Sequence, residues 1–143
     1  MLVAQILKAK GDAVFTAAPG TLVSDAAATL AEKRIGVLII TSGSGRIDGI
    51  LSERDIVRSL GQRGAACLAD TVDDMMTRDP VCTSLSETGE QVLTQMTEGR
   101  FRHMPVVMDG KLIGIVTQGD VVKARLEELA MENESMQGMI MGR

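Results

Sequence analysis

Apolar residues along the chain form short runs that predict β-strands. Four runs have the length of strands: residues 37–40, 47–51, 104–108 and 111–116. The last two runs flank Asp109-Gly110, a dipeptide that readily adopts the positive φ angles of a tight hairpin turn. Residues 41–46, rich in serine and glycine, separate the first two runs. The pattern therefore predicts two β-hairpins.

Between these strands, apolar residues recur every three to four positions, which predicts amphipathic helices. The predicted helices cover residues 21–33, 52–60, 88–98 and 117–131. Short extended segments at residues 14–16 and 81–83 precede the first and third of them. Residues 2–10 are predicted to form a short helix, or a lead-in strand and turn. From residue 132 to residue 143 the periodicity is lost, and we expect a flexible tail.

The same motif follows both predicted hairpins. Gly49-Ile-Leu-Ser-Glu-Arg-Asp55 recurs as Gly114-Ile-Val-Thr-Gln-Gly-Asp120, so that glycine, hydroxyl residue and aspartate are each 65 residues apart. Further upstream, positions match at an offset of 67, as in Thr16 with Thr83 and Thr21 with Thr88. We place the change of offset at one point, the hairpin turn, since a surface loop absorbs two residues at little cost.

An internal repeat of this length indicates a duplicated module. Each copy has the predicted order strand, helix, strand, strand, helix. The first repeat is assigned to residues 1–70 and the second to residues 71–131, with the tail at residues 132–143. A repeat of about 60 residues is marginally stable alone, so we expect an α/β fold in which two such units pack together.

Composition narrows the class of function. The 143 residues are 45% hydrophobic and 24% charged, as in an ordinary globular protein, and the net charge is −4. Basic residues are scattered, aromatic residues amount to 1%, and Trp and Tyr are lacking, which disfavours nucleic-acid binding. No apolar run is long enough to span a membrane, and no signal peptide is recognised. Cys67 and Cys82 have neither metal-ligand nor disulfide spacing, so we expect a reducing, cytoplasmic location and no metal.

The repeated motif has two physical interpretations. Ser52 with Asp55, and Thr117 with Asp120, fit a helix capping box, in which hydroxyl and acid satisfy free backbone amides. A glycine within an apolar strand, however, often marks the close approach of a ligand or of another backbone. Amides at a helix start also favour an anion, and an aspartate there can accept hydrogen bonds from a ribose diol. The residues alone leave these interpretations equally favoured.

The tandem motif resembles a pair of cystathionine-β-synthase (CBS) domains, a module found in inosine monophosphate dehydrogenase and in many regulatory proteins. The resemblance covers residues 5–130 and is specific because the motif Gly-apolar-x-Ser/Thr-x-x-Asp occurs twice at matching positions. It implies two β-α-β-β-α repeats packed with pseudo-two-fold symmetry. It also implies an adenine nucleotide (AMP above all, with ADP, ATP or NAD(H) as alternatives) bound in a cleft between the repeats.

Site residues follow from the resemblance position by position. The ribose would be bound by Asp120 and Asp55, with Thr117 and Ser52 contacting ribose or phosphate. The adenine pocket would include Thr83 and Ile113 in one site, and Thr16 and Asp48 in the other, beside Gly114 and Gly49. Phosphates would meet Arg102 and His103, with Arg54 as a substitute in the first repeat. Because the first repeat has Ile35 and Gly36 in place of Arg102 and His103, we expect the Asp120 site to be the stronger.

Three classes of function are weighed. A regulatory module that binds an adenine nucleotide and signals to an unknown partner protein is the leading hypothesis. A dimerising scaffold in which the motif is only a helix cap is the alternative, and the resemblance implies a homodimer in either case. An enzyme is disfavoured, because no base–nucleophile pair or phosphate-binding glycine loop is recognised and the repeats occupy nearly the whole chain.

Overall fold

The computed structural model describes residues 1–140 of the chain. Its helices are α1 (Val3–Lys10), α2 (Val23–Lys33), α3 (Glu53–Arg63), α4 (Val72–Met75), α5 (Gly89–Gly99) and α6 (Gln118–Ile140). Its strands are β1 (Thr16–Ala17), β2 (Val37–Ile40), β3 (Gly49–Ser52), β4 (Thr77–Arg78), β5 (His103–Met108) and β6 (Lys111–Thr117). The predicted α/β class and the repeated order of elements are confirmed.

The first sheet has the order β1-β2-β3-β4. Strand β1 runs parallel to β2, and β2 and β3 form the predicted antiparallel hairpin with Ile39 opposite Ile50. All four residues of β2 are buried, as expected for a continuous apolar strand. Strand β4 was not predicted. It pairs with β3, with Arg78 opposite Gly49.

The second sheet consists of the hairpin β5-β6. Its turn residues Asp109 and Gly110 have φ angles of 53° and 77°, so the turn predicted from this dipeptide is confirmed. Thr83 forms a single parallel bridge to Val106, which corresponds to the pairing of Thr16 with Ile39 in the first repeat. These two pairings agree with the offset of 67.

Helices α2 and α5 correct the predicted alignment of the repeats. Both have eleven residues, and they begin at Val23 and Gly89, which gives an offset of 66. The residue that precedes α2 is therefore Leu22, and it corresponds to Thr88, whereas the sequence match had paired Thr88 with Thr21. The offset thus falls from 67 to 66 before the helix and returns to 67 after it, since Ile39 and Val106 are again 67 residues apart; it then changes to 65 at the hairpin turn.

Two compact units make up the chain, and neither is a contiguous repeat. One combines Met1–Asp12 with Cys82–Val106 and the described chain from Gly114 onward. The other combines Ala13–Val81 with Val107–Ile113. The repeat boundaries at residues 70 and 71 are therefore boundaries in sequence. In space, the segment before each repeat belongs to the unit that contains most of the other repeat.

Backbone hydrogen bonds fix this exchange. In the first unit Val3 N donates to Glu87 O at 2.9 Å and Gly89 N donates to Met1 O at 2.8 Å. In the second unit Val23 N donates to Asp70 O and Val72 N to Thr21 O, both at 2.8 Å. The start of each segment is thereby joined to the start of the helix that opens the repeat.

The hydrophobic core of the second unit lies between α2, its sheet and the chain around α4. It consists of buried apolar side chains: Val23, Ala26, Leu30, Leu38, Ile40, Leu51, Ile56 and Val72. The connection between the repeats contains a 3-10 turn at Gly64–Ala69, in which Cys67 is completely buried. The expectation that this connection is packed is confirmed.

The last helix is longer than predicted. Helix α6 continues to Ile140, so the loss of regular structure expected from residue 132 is wrong for the described residues. Glutamate, glutamine and methionine are good helix formers, and they can extend a helix whose apolar periodicity has ended. Residues 141–143 of the expected tail lie outside the described residues. Within the described chain, no helix combines the length and apolar character needed to cross a membrane.

The motif glycines are positions of close approach. A Cβ atom on Gly49 would lie 2.5 Å from Met76 Sδ and 2.9 Å from Thr77 O. A Cβ atom on Gly114 would lie 2.9 Å from Leu7 Cδ2. In both repeats the side chain that fills this space comes from the exchanged segment, so the glycines are explained by packing within each unit.

We predict that Gly49→Ala destabilises the protein by about 1–3 kcal/mol, because the new methyl group overlaps a backbone oxygen that the β3–β4 pairing holds in place. Gly61→Ala is the matched control, since a Cβ on Gly61 in α3 meets no atom within 4 Å beyond its chain neighbours and its own helix backbone. It should stabilise the helix by about 0.5–1 kcal/mol. Urea denaturation measures both changes, and equal stability of the two variants would contradict the packing explanation.

Candidate functional site

Both copies of the motif form a reciprocal cap at the start of a helix. Thr117 N donates to Asp120 Oδ2 at 2.8 Å, and Asp120 N donates to Thr117 Oγ1 at 3.0 Å. Ser52 and Asp55 make the same pair of bonds at 2.9 and 3.2 Å. The capping-box interpretation is therefore correct for both repeats. It does not exclude ligand binding, because each carboxylate has a second oxygen.

Lys10 is the residue that distinguishes the two motifs. Its ammonium, at the end of α1, donates to Asp120 Oδ2 at 2.5 Å and to Ile115 O at 2.9 Å. The side chains of the pair are 27% and 23% exposed, so solvent screens their attraction only in part. The bonds from Lys10 and from the Thr117 amide both end on Oδ2. Neither of these two donors uses Oδ1, the second oxygen of the carboxylate.

The pKa of Asp120 reflects two opposing effects. Burial of the carboxyl group raises its pKa, since desolvation disfavours the charged form. The hydrogen bonds from Lys10 and from the Thr117 amide, together with the positive charge of Lys10, outweigh burial and hold the pKa of Asp120 below its ordinary value. Asp120 is consequently an anion at neutral pH, as a hydrogen-bond acceptor for a diol must be.

Asp55 has a different environment. Its nearest cation is Arg58, whose Nη1 lies 3.7 Å from Asp55 Oδ1, and the arginine side chain is 66% exposed. Next to this pair is a polar cavity of about 150 Å³, lined by Asp55, Arg58, Ser59, Arg63, Asp70, Asp74 and Met75. Arg63 and Asp70 form a bidentate ion pair in its wall. Within the part of the chain that the structure describes, Asp55 has no ion pair that matches the one between Lys10 and Asp120.

Arg102 and His103 come before the second motif in the sequence, and the backbone of Arg102 also lies beside it in the structure. The carbonyl of Arg102 accepts a hydrogen bond from Gln118 N at 2.8 Å, which fixes the chain before β5 beside the first residue of α6. The Arg102 side chain is exposed, and His103, the first residue of β5, is half-buried. The structure thus brings Arg102 close to the motif of Thr117 and Asp120.

The predicted adenine-pocket residues differ between the repeats. Thr83 is 3% exposed, and its hydroxyl donates to Glu87 Oε2, whereas Thr16 is exposed. Ile113 is half-buried in β6 directly before Gly114. In the first repeat Asp48 stands before Gly49, and its Oδ2 is buried without a hydrogen bond from the described residues.

Arg54 is exposed in the first turn of α3, where it is accessible to an anion from solvent. Its assignment to a phosphate, like the assignments of the other site residues, stays a prediction. Sequence reasoning missed Lys10, which lies 110 positions from Asp120. No local pattern marks this lysine, because its contact depends on the exchange that places α1 against the second repeat.

The ion pair predicts how Asp120 responds to pH. A carboxyl group with a lowered pKa stabilises the fold fully above its unfolded-state pKa of about 3.9, and this contribution is lost as pH falls through the folded-state pKa. Lys10→Met removes the donor, so the pKa of Asp120 should rise. A carbon-13 NMR titration of the aspartate carboxyl groups measures it. Lys8→Met, on the same helix and exposed, should leave it unchanged; an unaltered pKa in Lys10→Met would contradict the ion pair.

Comparison with known proteins places this geometry in a family. The family model described as the CBS domain matches residues 10–62 and 72–127, more than half of the chain. The CBS domain-containing protein CBSCBSPB2 of Arabidopsis thaliana is 30% identical over 120 residues, which are 83% of this chain and 22% of that protein. The chain thus spans about a fifth of the length of this curated relative.

Solved structures show the same fold. A CBS-domain containing protein from Agrobacterium tumefaciens is 41% identical with a TM-score of 0.84, covering 87% of this chain and 99% of that one. CBSX2, solved in complex with AMP, is 33% identical with a TM-score of 0.68, covering 80% and 88%.

The CBS domain pair of protein MJ0100, solved with 5′-methylthioadenosine and S-adenosyl-L-methionine, is 27% identical with a TM-score of 0.78 and covers 90% and 98%. The family model matches the chain twice, each motif aspartate forms the same reciprocal cap, and the solved structures share the fold. The chain belongs to the CBS domain family, of which it contains two consecutive domains.

Proposed function

We propose that this chain is a regulatory module that binds an adenine nucleotide at the Asp120 motif and signals its occupancy to a partner protein. The observation that supports it most is the Asp120 carboxylate, an anion fixed by Thr117, whose Oδ1 is used neither by Lys10 nor by the Thr117 amide. A cis-diol presents two hydroxyl donors to such a group. The ribose of AMP, ATP or NAD(H) has this diol.

Charge at the Asp120 motif favours a phosphate-bearing ligand. The Lys10 ammonium and the backbone of Arg102 both lie beside the start of α6, where the helix dipole also favours an anion. Two relatives of similar fold support an adenosine ligand, since one was solved with AMP and the other with 5′-methylthioadenosine and S-adenosyl-L-methionine. AMP is our first choice, with ATP and NAD(H) as alternatives.

The Asp55 motif is proposed as the weaker site. Among the described residues, the cation paired with its carboxylate is the exposed Arg58, at 3.7 Å, and Asp48 adds a second acidic residue to the same repeat. Two carboxylates near an anionic ligand repel it. Arg54 is the proposed phosphate contact there.

A ligand can act as a signal only if it binds one arrangement of the protein better than another. We propose that occupancy shifts such an equilibrium and that the partner reads the shift; catalysis is no part of the proposal. A cytoplasmic location fits the buried Cys67, which forms no disulfide.

The alternative is a scaffold that binds no nucleotide. It is favoured by one observation: the reciprocal caps fully explain why both motifs combine a hydroxyl residue with an aspartate. The two proposals differ in thermal unfolding, because a ligand that binds only the folded chain must raise its midpoint. A panel of adenine nucleotides without any effect on the midpoint would favour the scaffold.

We predict that Asp120→Asn weakens AMP binding by about 10- to 100-fold in titration calorimetry, since a charged acceptor is replaced by a neutral one. Asparagine keeps an oxygen for the Thr117 amide and so preserves most of the cap. Asp55→Asn is the matched control, with the same change in the other repeat, and should reduce the affinity of the stronger site less than threefold. Unchanged affinity in Asp120→Asn would reject the site.

We also propose a homodimer, as the family resemblance implies. Helix α6 has three apolar side chains at four- and three-residue spacing, which places them on one face of the helix; Val122, Leu126 and Leu129 are 42%, 61% and 44% exposed. Exposed apolar side chains on one face favour association.

We expect Leu126→Glu to shift the sedimentation equilibrium toward monomer by at least tenfold in dissociation constant, because it buries a charge in the interface. Lys123→Gln makes the same change of net charge on this helix and should leave the dimer intact. A wild-type chain that sediments as a monomer, or a dimer insensitive to Leu126→Glu, would contradict the proposal.

A further inference from the structure

We propose that Lys10 determines the charge preference of the Asp120 site, so that it selects adenosine ligands with a 5′-phosphate over neutral or cationic ones such as 5′-methylthioadenosine and S-adenosyl-L-methionine. This inference rests on the proposed function and specifies its ligand class. It concerns a residue that belongs to neither copy of the motif and that comes from the helix exchanged between the repeats.

The position of Lys10 is fixed by the packing of α1. Leu7 is buried, and its Cδ2 would lie 2.9 Å from a Cβ on Gly114, so α1 lies directly against β6. Gly11 ends the helix with a φ of 96°, a conformation suited to glycine, and its amide donates to Leu7 O at 2.7 Å. Lys10 is the last residue before this turn.

Two acceptors hold the ammonium beside the motif. Lys10 Nζ donates to Asp120 Oδ2 and to Ile115 O, so its position is specified by a backbone carbonyl as well as by charge attraction. The lysine uses the inner carboxylate oxygen and leaves Oδ1 for the ligand. Lysine and a ribose diol can therefore bind Asp120 together.

The net charge around Asp120 then determines which 5′ group of an adenosine ligand binds favourably. An unpaired Asp120 would repel a phosphate and attract the sulfonium of S-adenosyl-L-methionine. Paired with Lys10, the carboxylate is neutralised, and Arg102, whose backbone adjoins the start of α6, carries a further positive charge on an exposed side chain. A unit charge about 6 Å from a phosphate in a partly solvated site alters affinity by about tenfold.

The first repeat serves as an internal comparison. Asp55 makes the same cap as Asp120, yet its nearest cation is an exposed arginine at 3.7 Å from its own helix. In this repeat the segment equivalent to the end of α1 is strand β4, and the guanidinium of Arg78 donates to Asp73 O. The inference is accordingly restricted to the Asp120 site.

The test compares AMP with 5′-methylthioadenosine, which share adenine and ribose and differ at the 5′ position. Calorimetry on the full chain gives both dissociation constants for wild type, Lys10→Met, Lys10→Arg and Lys8→Met. We expect Lys10→Met to lower the preference for AMP about tenfold, mainly through weaker AMP binding. Lys10→Arg should keep most of the preference, and Lys8→Met, an exposed neighbour on α1, should keep all of it.

Other outcomes overturn the inference in distinguishable ways. If Lys10→Met raises the affinity for both ligands equally, Lys10 only competes with the ligand for Asp120. If it lowers both affinities equally, Lys10 has only a structural role. If the preference is unchanged, its charge has no role. Wild type that binds neither ligand would reject the proposed function itself, and this inference with it. Thermal unfolding of each variant shows whether the fold is retained, and Lys10→Arg keeps the test valid if Lys10→Met unfolds.

Discussion

The exchange of a short segment between the repeats is the constraint on which the site depends. Residues that begin the chain complete the unit of the second repeat, and residues 72–78 complete the unit of the first. Val3 and Val72, at equivalent places in the two segments, are both fully buried. Burying each such side chain contributes about 1.5–3 kcal/mol, and this apolar packing is what positions the polar end of α1.

The repeated motif has a structural role, and we propose a chemical one. Capping needs a hydroxyl and one carboxylate oxygen, and both repeats supply them with nearly the same distances. Ligand binding needs the remaining oxygen and a suitable surrounding charge, and here the repeats differ. The difference arises outside the motif, in the segment that each unit receives. One unit receives a helix that ends in Lys10, and the other receives the short helix α4 followed by strand β4.

Much of this fold could be predicted from the sequence because its signals are local. Apolar runs identified β2 and β5, the dipeptide Asp109-Gly110 identified the tight turn, and the repeated motif identified both caps. The exchange could not be predicted from the sequence. The apolar pattern of residues 2–10 and 72–76 shows that they pack against something, but it does not show which repeat they pack against. Lys10 and strand β4 were missed for that reason. The extension of α6 was missed because the apolar periodicity ends near residue 132. The loss of periodicity indicates only that the helix has no buried face there, and the residues still have high helix propensity.

The most direct test is an NMR titration of the labelled full chain with AMP, which maps binding onto individual backbone amides. The account predicts saturable shifts at Thr117–Asp120 and at Lys10–Gly11, with weaker changes at Ser52–Asp55. Perturbations confined to other residues, or none at millimolar AMP, would contradict a nucleotide site that the exchanged helix and the second motif build together.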